Sequence, residues 1–96
     1  MNDNKYFNLF AFTVLYEFYG GCQKGVTCSN GRLCGSHSGL TQLSFEECRQ
    51  HAVNGNWYAF SYRGTSNRWC RLCTEQEFND NINTPNWGLY LKGNYK

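Results

Sequence analysis

The sequence predicts an α+β fold: a single short helix packed on an antiparallel β-sheet and stapled by disulfides. Three observations carry this prediction. Residues 44–48 hold one strong helix-start signature, several short aromatic and β-branched runs are separated by turn residues, and six cysteines fall within 96 residues. A chain this long buries about 65% of the surface it exposes when unfolded, so its apolar core is thin and covalent bridges are the expected supplement.

Taken in order, residues 6–19 are dominated by aromatic and β-branched side chains, including Phe7, Phe10, Phe12, Val14, Tyr16 and Phe18, which favour strand over helix. We read one long or two short strands there, and set residues 1–19 apart as an aromatic strand segment ahead of a domain at 20–96. Lys5 before an apolar run gives a faint likeness to a secretory signal. Asp3 and the lack of a small-x-small triplet after the run speak against it. The run is also too short to span a bilayer, which takes about 20 apolar residues. A terminal strand of this composition either joins the core sheet or adds to the sheet edge of a neighbouring copy. In the second case Phe7, Phe10, Phe12, Val14, Tyr16 and Phe18 are the assembly candidates.

From residue 20 to 40 the chain turns to Gly, Ser, Thr and Asn, with Cys22, Cys28 and Cys34 spaced six apart, and a bridged loop is expected. The helix begins next. Ser44 with Glu47 three residues on forms a capping box, and Glu46 and Glu47 sit at the positive end of the helix dipole. Phe45, Cys48 and Ala52 then share one face, and Asn54-Gly55 is the expected stop. Residues 57–63 and 68–73 read as the two arms of a hairpin turning at residues 64–67. A polar, Asn-rich connection over residues 75–85 leads to a last strand near residues 87–91, where Trp87, Leu89 and Leu91 share a face.

The order of these pieces resembles the PAN/apple domain family. The residues that carry the likeness are Leu40-Thr41 ahead of Phe45-Glu46-Glu47-Cys48, then Tyr58-Ala59-Phe60-Ser61-Tyr62, Cys70-Arg71-Leu72, and Trp87-Gly88-Leu89-Tyr90. The resemblance spans roughly residues 20–92 and implies a helix tied to a sheet by disulfides, with Cys48 bonded to Cys70. One usual helix-to-sheet bridge of the family is missing at both ends together, with Ala52 and Trp57 (or Asn56) in its place, a large-on-small replacement. Given the Cys48–Cys70 bridge, Cys73 points to the opposite face of its strand and takes a partner from Cys22, Cys28 or Cys34; which one, the sequence leaves open.

Composition and motifs bound the function. Nine basic residues spread along a chain of net charge +2 do not make the clustered basic face that nucleic acid needs. Cys70-Arg71-Leu72-Cys73 is a CxxC, yet no second close pair accompanies it, so no zinc site, other metal or cofactor is expected. His37 lies between Ser36 and Ser38 in the loop and His51 lies on the helix, and six bridged cysteines leave neither a thiol to activate, so the chain reads as a non-enzyme. Recognition is where the sequence has material: Tyr62, Arg63, Arg68, Trp69 and Arg71 gather around the hairpin turn and are the binding candidates. The expectation is a secreted, extracellular, non-catalytic adhesion module with a protein or glycan ligand, implied by the family resemblance. One form is a self-assembling homo-oligomer or fibre subunit; the alternative is a soluble lectin or a small inhibitor or toxin-like ligand.

Overall fold

Why the apolar residues fall into two sets becomes clear from the sheet. The computed structural model describes residues 15–35 and 40–93. Among them a four-stranded antiparallel sheet has the order β1-β6-β3-β4, built from β1 (Tyr16–Gly21), β6 (Gly88–Lys92), β3 (Ala59–Arg63) and β4 (Trp69–Cys73). A second, two-stranded ladder pairs β2 (Arg32–Leu33) with β5 (Ile82–Asn83). Because successive side chains of a strand point to opposite faces, the large sheet offers two apolar faces, and each receives its own cover.

Helix α1 (Phe45–Gly55) covers the first face. Its start is the expected one: the Ser44 hydroxyl accepts from Glu47 N at 3.1 Å while a Glu47 carboxylate oxygen accepts from Ser44 N at 2.7 Å. Cys48 and Ala52 are fully buried beneath it against Phe60, Tyr62 and Tyr90. Phe60 and Tyr90 are register partners whose rings stack at 5.1 Å, and Phe45 caps them with centroids 5.7 and 4.9 Å away. The helix ends one residue later than the Asn54-Gly55 stop predicts. Asn56 takes the left-handed turn (φ 55°), a conformation that asparagine tolerates, so Gly55 stays helical. Trp57 packs against the cluster that contains Ala52, and its backbone N–H donates to Ala52 O at 3.0 Å.

The second face is covered by the β2–β5 ladder and by a second helix, α2 (Glu75–Asn79), in the stretch expected to be an irregular connection. Thr74 and Glu77 form a capping box like that of α1, and Phe78 sinks among Ala59, Leu89 and the Cys34–Cys73 bridge. Within the expected 20–40 loop lie the short β2 strand and a 3-10 turn, Gln23–Gly25. That turn docks on the hairpin through Gly64 N, which donates to Gly25 O at 2.8 Å. Gly25 has φ 69°, and a Cβ there would run into the backbone of residues 62–64, so only glycine fits the approach.

Cysteines tie the layers together. Cys48 is bonded to Cys70, Cys34 to Cys73 and Cys22 to Cys28. Cys70 and Cys73 do face opposite sides, one toward α1 and the other toward the β2 layer. β1 crosses the 19/20 division expected from composition, and it belongs to the body of the sheet: Tyr16 packs its ring on Phe60 at 5.3 Å, and its hydroxyl donates to Trp57 O at 2.6 Å with Ala52 O at 3.1 Å. Phe7, Phe10, Phe12, Val14, Ser36, His37 and Ser38 lie outside the described residues. Among the described residues no helix is long and apolar enough to cross a membrane.

Candidate functional site

Strand register decides which of the arginines and aromatics around the hairpin meet. Arg63 pairs with Trp69 across β3–β4, Ser61 pairs with Arg71, and Tyr62 pairs with Gly88 of β6. On the second face this sets Trp87, Arg63 and Trp69 in one row and Leu89, Ser61 and Arg71 in the next. Ser61 is small, so the Arg71 side chain can cross the sheet above it. Its guanidinium carbon lies 6.0 Å from the Trp69 ring centroid and 5.6 Å from that of Trp87, while Arg63 stands 6.0 Å from Trp87. The result is an alternating ladder, Trp69, Arg71, Trp87, Arg63. Arg71 Nη1 donates to Gly35 O at 3.0 Å. The Nε atoms of Arg63 and Arg71 are buried and have no hydrogen-bond partner among the described residues. Among the described residues both cations lie against indole faces and neither is paired with a carboxylate.

Two of the five binding candidates do not join this face. Tyr62 points the other way, beneath α1; it is 4% exposed and its hydroxyl donates to Leu43 O at 2.7 Å. Burial pushes its phenol above the ordinary tyrosine range, and burial does the same to Tyr90 despite a hydrogen bond from Lys24 N. Arg68 is exposed at the turn with φ 52° and donates to Gln42 O, on the side where α1 begins. The alternation of the strand explains both outcomes, since residues 62 and 63 cannot share a face. The sequence places Trp87 on one face with Leu89 and Leu91, and the β3–β6 register puts that face on the side of Arg63, where Trp87 is buried at 4% exposure and joins the ladder, a role not visible from the sequence.

A second feature lies at the opposite end of the same face. α2 carries Glu75, Glu77 and Asp80, of which Glu77 accepts from Thr74 N at 2.8 Å. Glu77 and Asp80 line a groove of about 260 Å³ with Leu33, Gly35 and Ile82, and Ile82 is 57% exposed. A third feature is the sheet edge. Among the described residues β1 is one of the two outer strands of the sheet, and it exposes Phe18 and Tyr19, which rest on Tyr90 at 5.5 Å and Phe78 at 4.9 Å. Phe18 is on the α1 side and Tyr19 on the α2 side by ordinary alternation, and the bulge between residues 18 and 20 pairs Gly20 with Leu89, whose side chain faces α2.

All six cysteines are in disulfides, and His51 stands exposed on α1. Among the described residues no three His, Cys, Asp or Glu side chains come together as a metal site. Comparison of the chain with protein-family models, with curated proteins and with solved structures finds no match.

Proposed function

We propose that the chain is a secreted, non-catalytic adhesion module of PAN/apple type, and that it assembles with further copies through its edge strand. The observation that carries this reading is β1: an outermost strand, antiparallel to β6, that displays Phe18 and Tyr19 to solvent. Exposed edge strands with apolar side chains are templates for pairing with another chain, and proteins that avoid such pairing blunt them with charge, proline or cover. The sequence ahead of β1 extends the same aromatic and β-branched character through Phe7, Phe10, Phe12 and Val14. Three disulfides around a thin core support an oxidising, extracellular setting. The helix bridged to the sheet through Cys48 and Cys70 supports the PAN/apple likeness.

The test is the size of the particle. Oxidised full-length chain, viewed by negative stain and by sedimentation velocity across a hundredfold concentration range, is expected to form elongated assemblies larger than a dimer. Tyr19→Lys, which places a charge on the strand that pairs, is expected to reduce them at least tenfold. A chain that never exceeds a dimer and is indifferent to Tyr19→Lys would falsify the edge-strand reading.

A further inference from the structure

We propose that the ladder face binds the acidic end of a second copy of this chain, forming a two-fold dimer in which each contact occurs twice. The ladder and α2 lie on the same side of the sheet, at opposite ends of the β3–β4 hairpin: Arg63 and Trp69 flank the turn, while α2 follows Cys73. From Trp69 to Cys73 is four steps along β4, about 14 Å, with Arg71 midway and its guanidinium on Gly35 O at the margin of the groove beside α2. The turn end carries Arg63 and the α2 end carries Glu75, Glu77 and Asp80, with Arg71 between them and Arg32 hydrogen-bonded to Asn81 Oδ1 on the α2 side. A two-fold axis through the middle of such a surface lays each end on its complement, which is the geometry of an isologous interface.

Shape follows charge. Trp69 is partly exposed at the end of the ladder, and the groove beside α2 is lined by Leu33, Gly35 and Ile82 together with Glu77 and Asp80. An indole edged by arginine is the kind of anchor such a groove accepts. Ordering costs are low, because indoles already hold both guanidiniums and the Thr74 backbone N–H already holds the Glu77 carboxylate.

The experiment uses the oxidised full-length chain with a ¹⁵N label, following the Trp69 indole N–H on dilution alongside sedimentation velocity. The expected result is a Trp69 resonance that shifts with concentration, together with a dissociation constant that rises at least tenfold between 0.05 and 0.5 M NaCl, as contacts between partly exposed charges do. Glu75→Lys combined with Asp80→Lys, both exposed and outside the core, is expected to weaken the dimer at least tenfold with an unchanged near-ultraviolet spectrum. Trp69→Ala should do the same from the other side. A Trp69 signal indifferent to dilution overturns the proposal, and so does undiminished association of the acid-reversed chain. A sulfated oligosaccharide that moves the Trp69 signal while acid reversal has no effect would make this a glycan face and also overturn it. Edge-strand assembly is read separately, by particle size and Tyr19→Lys, so either idea can fail without the other.

Discussion

Ser61 has no exposed surface and sits where the strand must be both small and polar. Its hydroxyl accepts from Cys34 N at 3.3 Å and donates to Cys34 O at 3.1 Å, so one side chain satisfies both backbone groups of a buried cysteine. Its small volume also lets Arg71 reach across to Trp87. Ser61→Ala keeps the volume and strands two buried polar groups, and is expected to cost about 1–3 kcal/mol. At about 4–8 °C per kcal/mol for a domain of this size, thermal unfolding under non-reducing conditions should show Tm fall by roughly 4–24 °C. A fall of less than about 2 °C would mean that water replaces the hydroxyl and that Ser61 was retained for size alone. The ladder explains why such roles are hard to read from sequence. Arg63, Trp69 and Arg71 are legible as a group because they are neighbours around a turn, whereas Trp87 reaches them, and Cys34 reaches Ser61, only through register and fold, at separations of 16 or more residues. Tyr62 looked like a member of the group by proximity, and strand parity removed it.

At the scale of elements, the two helices share one start signal and differ in how visible it was. Ser44-x-x-Glu47 precedes eleven helical residues with an apolar face, so capping and periodicity agree. Thr74-x-x-Glu77 makes the same box ahead of only five residues, too few for any periodicity to register, and the two-residue strands β2 and β5 give no pattern at all. The Glu47 carboxyl is held below its usual range, first by the hydrogen bond from Ser44 N–H, then by the Ser44 hydroxyl, with smaller help from the Arg68 and His51 charges. A depressed carboxyl adds stability that is complete above its unfolded pKa, near 4.5, and is lost as pH falls through the folded value. Glu47→Gln should therefore be less stable than wild type by a constant margin above about pH 5, and the gap should close toward pH 2. Urea unfolding at half-unit pH steps measures it; a gap of equal size at pH 2 would show that the hydrogen bond matters and the charge does not. Ser44→Ala, which removes the cap itself, should cost about 0.5–2 kcal/mol at every pH.

For the whole molecule the question is which staple holds the layers. Cys22–Cys28 closes a six-residue separation within one loop, Cys48–Cys70 spans 22 residues and ties α1 to the sheet, and Cys34–Cys73 spans 39 and ties the β2 layer to the other face. If bridges act mainly by restricting the unfolded chain, these separations give about 2, 3 and 4 kcal/mol respectively. The structure adds a reason in the same direction. Cys34 and Cys73 are buried together with Phe78, Ala59 and Leu89, so their removal also loosens the second core, whereas Cys28 is only partly buried in its loop. Paired serine replacement at 34 and 73 is expected to lower Tm by about 15 °C or more and to broaden the Trp69 and Trp87 signals, because the ladder rests on strands that this bridge anchors. The pair at 22 and 28 should cost half as much or less and leave those signals sharp. Had the short loop bridge proved the costlier loss, the stability of this chain would reside in the 3-10 turn docked on the hairpin through Gly25, and the two-faced sheet would be the weaker part of the fold.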